Sequence, residues 1–367
     1  MPMDVRSYYR RTLEERGFAA DEAQERAVER LQQIYQEWQT YEEHNASLIK
    51  RLFNKPGAPR GLYLWGGVGR GKSFLMDSFY TVAPVAQKTR VHFHEFMRQV
   101  HRQLDMLKGR ENPLQEVARR TADQFKLICF DEFHISDIAD AMILYNLLKD
   151  LFGRGVSFVM TSNYHPDHLY PDGLHRDRLL PAIALIKQKM DVMNVDGGID
   201  YRRRALEQVE VYHTPLNTEA EQALNEAFDR IAEMRDEEPA IEVEGRQLRS
   251  RRRAGGIIWF DFRELCGGPR SQNDYLELAS RFHTVIVSNI PVMPVAMQSE
   301  ARRFTWLIDV FYDHKVKLLM SAEAPPEELY REGPMAQEFH RTVSRIMEMQ
   351  TRDYVDAPRR TGRTEQN

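Results

Sequence analysis

The 367-residue sequence predicts an α/β protein built on a doubly wound parallel sheet, and three observations predict it. Short apolar runs alternate with helical patterns from Gly61 to about Val195. The first of these runs, Gly61–Trp65, leads into a glycine-rich loop that opens a helical pattern at Phe74. A later run, Leu127–Phe130, ends on two adjacent carboxylates, Asp131 and Glu132. Strands that alternate with helices imply right-handed crossovers and therefore parallel pairing.

The composition suits such a core: 42% of residues are hydrophobic and 29% charged. A formal net charge of −4 argues against a protein that holds nucleic acid by general electrostatics, so nucleic acid is not an expected partner. With two cysteines, and Cys129 inside an apolar run, no disulfide framework is expected, which fits a reducing compartment. The N-terminal residues form no apolar signal region, and no run of about 18 apolar residues occurs. A cytoplasmic protein, at most peripheral to a membrane, is the expectation.

Taken in order, residues 1–58 read as an N-terminal helical segment, with Leu31, Ile34, Tyr35 and Trp38 at helical spacing. Residues 59–199 read as the core, with strands at Gly61–Trp65, Val91–His94, Leu127–Phe130, Val156–Ser162 and Asp191–Val195. Residues 200–256 read as an insertion or lid, with charge pairing near Glu219–Glu237 and a hairpin around Glu244-Gly245. Residues 257–355 read as a C-terminal α/β extension with strands at Ile257–Phe260, Thr284–Ser288 and Val316–Met320, and 356–367 as a disordered tail. Phe282–Tyr330 echoes Phe125–Tyr170, but at the level of sequence the matches are too few to establish a duplication.

The chemistry is concentrated in the core. Gly66, Gly67, Val68, Gly69, Arg70, Gly71, Lys72 and Ser73 complete the pattern of a phosphate-binding P-loop between a strand and a helix. Glycines let successive N–H groups converge on an anion, Lys72 reaches the β- and γ-phosphates, and Ser73 holds Mg²⁺. Asp131 belongs to the Mg²⁺ shell, and Glu132 polarises the attacking water. ATP and Mg²⁺ are the implied cofactors. Asn163, after the next apolar run, stands where a polar side chain reaches between the γ-phosphate and Glu132. Arg178, with Arg176 second, is the candidate for a guanidinium supplied across a subunit boundary, which implies a homo-oligomer.

Three other features are weighed against structural readings. His92 and His94 share one face if both lie in a strand, but no third metal ligand is evident. The cluster Arg249, Arg251, Arg252 and Arg253 suits a nucleic-acid-dependent ATPase of the helicase-loader kind, yet lacks interleaved aromatics and reads as a solvated strand edge. Gln24 stands where an adenine contact is conceivable, although most such glutamines are simply exposed.

Longer stretches carry a resemblance. Leu62–Ser73, Val91–Met97, Cys129–Phe133, Asp137–Leu144 and Thr161–Asn163 resemble the ZapE cell-division ATPases, which have mitochondrial Afg-one-like relatives. So do Trp259–Phe262, Glu264–Cys266, Glu300–Phe304, Asp309, His314–Leu318 and Ser321–Pro326, so that the likeness covers nearly the whole chain. The resemblance implies an AAA-type ATPase that joins the bacterial division apparatus and destabilises FtsZ polymers when ATP is present. The mitochondrial relatives carry an import segment, whereas this sequence opens on its first helix, so the bacterial branch is expected. Arg302 or Arg303 is the candidate for a lid sensor.

Overall fold

The structure is a computed structural model that describes residues 3–16, 21–46, 57–67, 69–135, 137–171, 173–196, 209–232, 234–357 and 359. It divides into two compact units, Met1–Asp200 and Tyr201–Asn367.

In the first unit, helices α1 (Val5–Arg16) and α2 (Glu22–Ala46) precede β1 (Gly61–Trp65) and α3 (Lys72–Val82). Then come β2 (Lys88–His92), α4 (Phe93–Met106), α5 (Pro113–Gln124), β3 (Leu127–Asp131), α6 (Ile138–Gly153), β4 (Ser157–Ser162), α7 (Leu180–Lys189) and β5 (Met190–Asn194). The five strands pair in parallel in the order β2-β3-β4-β1-β5. Strand alternation splits the core in two. Leu62, Leu64, Leu127, Cys129 and Val159 pack with α1, α2 and α3, whereas Tyr63, Ile128, Phe130, Phe158 and Met160 pack with α4 to α7. The sheet is therefore covered by helices on both faces, as a parallel sheet requires.

The second unit contains β6 (Tyr212–His213), α8 (Thr218–Ile231), β7 (Ala240–Val243), β8 (Arg246–Arg249), β9 (Arg252–Ala254) and β10 (Ile257–Asp261). These are followed by α9 (Gln272–Arg281), β11 (Thr284–Ile290), α10 (Gln298–Asp313), β12 (Lys317–Ala322), α11 (Ala336–Met349) and α12 (Arg352–Asp356). Its main sheet has the order β6-β12-β11-β10-β9, with β9 antiparallel, while β7 and β8 form a separate hairpin across Glu244 and Gly245. The described part of the segment read as an insertion or lid thus supplies both edge strands, β6 and β9, of this sheet. Of the expected tail, Asp356, Ala357 and Arg359 are described, and Arg359 donates to the Ala279 and Ser280 carbonyls.

The two units share a framework. β6, β10, β11 and β12 follow one another along the chain and across the sheet as β1, β2, β3 and β4 do. The registers agree: Lys88 pairs with Leu127 as Ile257 pairs with Thr284, and Tyr63 pairs with Met160 as Tyr212 pairs with Met320. Matching hydrogen bonds recur. The Tyr63 hydroxyl donates to the Tyr164 carbonyl at 3.0 Å, and the Tyr212 hydroxyl to the Ala324 carbonyl at 2.7 Å. Glu132 N donates to Thr161 Oγ1 at 3.1 Å, and Asn289 N to Ser321 Oγ at 3.2 Å. Both Glu132 (φ 51°) and Asn289 (φ 61°) take the left-handed conformation that side chains disfavour. The faint sequence echo is therefore part of a repeat of four strands in the same order and register.

Both cysteines are buried free thiols, and burial pushes each up to about 12. Among the described residues no helix is long and apolar enough to cross a membrane.

Candidate nucleotide site

A parallel sheet brings every loop that follows a strand to one edge, and ligands of such sheets bind there. In the first unit that edge collects the loop after β1, His92 at the end of β2, Asp131 and Glu132 at the end of β3, Asn163 after β4, and Asp196 after β5.

Gly66, Gly67, Gly69, Arg70 and Gly71 connect β1 to α3; Val68 lies outside the described residues. Gly69 (φ 74°) and Gly71 (φ 73°) are left-handed, a conformation that glycine adopts without cost. Gly71 is the N-cap of α3 and brings no side chain to its N–H groups, so the helix start can take an anion. The Lys72 ammonium donates to the Gly66 and Gly67 carbonyls at 2.8 and 2.6 Å, which places a positive charge against the loop. Arg70 pairs with Asp196 at 2.7 Å.

Arg90 ties this loop's helix to the acidic strand. Its guanidinium is buried and grips Asp131 with two donors, Nε to Oδ2 at 2.6 Å and Nη2 to Oδ1 at 3.1 Å. It also donates to Asp77 Oδ1 at 3.0 Å and to the Ser73 carbonyl at 3.1 Å. Burial works against its charge, but the Asp131 and Asp77 carboxylates outweigh that, and its pKa is raised. Each Asp131 oxygen keeps a further lone pair beside its bond to Arg90. The pair Ser73 and Asp131 therefore fits Mg²⁺ held through its water shell, the usual way of holding this small, tightly hydrated ion.

Glu132 follows directly. Its N–H and that of Phe133 are fixed by the Oγ1 and carbonyl of Thr161, and its left-handed backbone turns it out of the strand. Among the described residues its carboxylate has no hydrogen-bond partner, so it is available to accept a proton from water. Asn163 is exposed just beyond β4. Arg176 and Arg178 lie in a 3₁₀ turn ahead of α7; Arg176 donates to the Asp167 carbonyl at 2.7 Å, whereas Arg178 is two-thirds exposed, with the Asp177 carboxylate 3.7 Å away.

Other expected residues are placed differently. His92 ends β2 but His94 lies in the first turn of α4, so the two do not share a strand face, because the strand starts earlier and ends earlier than the sequence suggests. Their rings are 5.8 Å apart, and no cluster of three metal-ligating side chains occurs among the described residues. Gln24 is buried, not exposed. Arg251 pairs with Glu221, Arg252 with Asp229 and Asp236, and Arg253 with Glu237, so three of the four clustered arginines are neutralised within their own unit. Arg303 donates to the Cys266 carbonyl and Arg302 to the Met335 sulfur. The sequence reading missed Arg90 and Asp77; the alternation of Lys88 and Arg90 ahead of the apolar run, beside an acidic strand, was the available signal.

Fold and loop together define a P-loop nucleoside triphosphatase of the α/β class. The chain belongs to the AFG1-like ATPase family, whose family model matches residues 3–358. It is 44% identical over 361 residues to the Cell division protein ZapE of Escherichia coli K12, covering 95% of this chain and 96% of that one. It is 38% identical over 348 residues to Lactation elevated protein 1 homolog B of Danio rerio, covering 82% of this chain and 69% of that one. A solved structure of DnaI is similar with a TM-score of 0.30 and 17% identity over 41% of this chain and 77% of that one, too distant to bear on function.

Proposed function

We propose that the protein is a Mg²⁺-dependent ATP hydrolase that remodels a protein partner in bacterial cell division, with FtsZ filaments as the partner. The observation that carries the reading is the join, through Arg90, of the P-loop helix to the Asp131-Glu132 pair at one sheet edge. The loop N–H groups and Lys72 hold the phosphates, and Ser73 and Asp131 would hold a hydrated Mg²⁺, which would supply positive charge against the phosphates. Glu132 accepts a proton from water as its oxygen attacks the γ-phosphorus and the bond to the ADP oxygen breaks. Asn163 orients that water, and Arg178, or Arg176 beside it, reaches the γ-phosphate of a neighbouring copy in a homo-oligomer. The expected location is the cytoplasm, with recruitment to the division site. ZapE of Escherichia coli is a cell-division protein by name, and the extent of the identity supports the same role here.

Steady-state phosphate release by wild type, Lys72→Ala and Glu132→Gln, with and without FtsZ, tests this. Stimulation by FtsZ that vanishes in Lys72→Ala is expected, and Glu132→Gln should bind ATP yet turn over about 10²–10⁴-fold more slowly. Wild-type turnover by Glu132→Gln would remove it from the role of base. Stimulation by single-stranded DNA alone would replace the division reading.

A further inference from the structure

The amide of Gln24 lies against the P-loop from outside. Gln24 is 1% exposed in the first turn of α2, where its own N–H is capped by Asp21 Oδ1 at 2.8 Å. Its Nε2 donates to the Arg70 carbonyl at 3.1 Å, and its Oε1 accepts from the Tyr9 hydroxyl of α1 at 2.6 Å. A carbonyl can only accept, so the amide's nitrogen must face Arg70, and its oxygen must then take the Tyr9 proton. The orientation of the amide is thus dictated by its partners. Gln24 Nε2 also stands 2.6 Å from where a Cβ on Gly71 would be, so the close approach adds to the left-handed φ in requiring glycine there.

One peptide plane joins the Arg70 carbonyl to the Gly71 N–H. In a trans peptide the two point in opposite directions. Holding the carbonyl outward against α2 therefore aims the Gly71 N–H inward, toward the concave side of the loop. We infer that Gln24, oriented by Tyr9, is a positioning residue that presets the Gly71 N–H for the phosphates of the nucleotide, and that it makes no contact with the base. This rests on the nucleotide site proposed above. It assigns the N-terminal helices a part in phosphate binding, since the loop cannot turn that peptide without breaking a bond to α2.

Equilibrium binding of ATP, ADP and GTP to the full chain tests it, together with melting temperature in the absence of nucleotide. Gln24→Met keeps the volume but removes the donor, and should weaken ATP, ADP and GTP by the same factor of about ten, the worth of one hydrogen bond to a preset loop. The KM for ATP should rise by that factor while kcat falls far less, because the bond serves ground and transition states alike. Gln24→Glu turns an acceptor toward the Arg70 carbonyl and should bind more weakly still. Tyr9→Phe keeps the fold's shape and should show the same pattern at about threefold, which preserves the test if Gln24→Met does not fold. A loss confined to the adenine nucleotides, with GTP unchanged, would overturn the inference in favour of a base contact. Unchanged binding in both Gln24→Met and Tyr9→Phe would also overturn it. Lys72→Ala separates the two levels: wild-type binding by that variant sinks the nucleotide site itself, whereas its loss alongside intact Gln24→Met sinks only this inference.

Discussion

The two units carry the same four-strand framework to opposite ends. At the edge of the first, six residues with glycine at 66, 67, 69 and 71 separate β1 from α3, and α3 starts without a side-chain cap. At the matching edge of the second, Thr214, Pro215, Leu216 and Asn217 join β6 to α8; none is glycine, proline donates no N–H, and Asn217 Oδ1 takes the Ala220 N–H at 2.8 Å. One helix start is left open to an anion and the other is closed by its own chain. The carboxylates diverge in the same way. Register places Ser288 opposite the role of Asp131, Asn289 opposite Glu132, and Trp259 where Arg90 stands. Ser288 Oγ takes the indole N–H of Trp259 at 2.9 Å and Arg251 Nη1 at 3.0 Å, and the Arg251 guanidinium covers the Trp259 ring at 4.6 Å. The second edge is thus occupied by its own side chains. What separates the two four-strand frameworks is the loop, the cap and the charge placed at their edges.

The sharpest way to break this contrast is to count nucleotides. Equilibrium dialysis should find one per chain, falling to none in Lys72→Ala; a second site surviving that substitution would show that the second unit is not closed. Next in size is the cost of the buried charges. Arg90→Met leaves Asp131 and Asp77 buried without their cation and should lower stability by about 3–5 kcal/mol in denaturant melts. Trp259→Phe, at the matching position, removes one neutral hydrogen bond and part of the buried ring that Arg251 covers, and should cost about 1–2 kcal/mol. Equal costs would mean that the first edge is not the more highly charged of the two. The smallest effect concerns the shared backbone. Asn289→Ala should cost about 1 kcal/mol in its left-handed conformation and Asn289→Gly less than half of that, with ATP turnover unaffected by either. A drop in turnover on Asn289→Gly would tie the second unit directly to the chemistry.

The loop and the Asp131-Glu132 pair were legible because each is a contiguous pattern whose chemistry follows from neighbours in sequence. Helix α2, with its apolar residues at helical spacing, and the parallel core were legible through periodicity. Arg90 was not, because a charged residue in an edge strand makes sense only once its partners on α3 and β3 are known; β2 accordingly starts at Lys88, whose ammonium reaches the Tyr80 and Ala83 carbonyls, and not at Val91. Gln24 was misjudged because its burial depends on α1 packing over α2. The repeat was hidden because the bonds that preserve it are made by backbone groups and by hydroxyls that interchange, as Thr161 does with Ser321.

A left-handed residue stands just past β3 in the first unit, Glu132, and near the end of β11 in the second, Asn289, and only the first is a carboxylate. The bend is common to both units and the acid is not. A template search keyed to backbone shape would therefore score both edges alike, although only the first carries the glycine loop and the two adjacent carboxylates. For an engineer, the same fact means that writing Asp and Glu into positions 288 and 289 would copy the lettering of the end of β3 without its setting, because the second unit lacks the loop that would receive the phosphate.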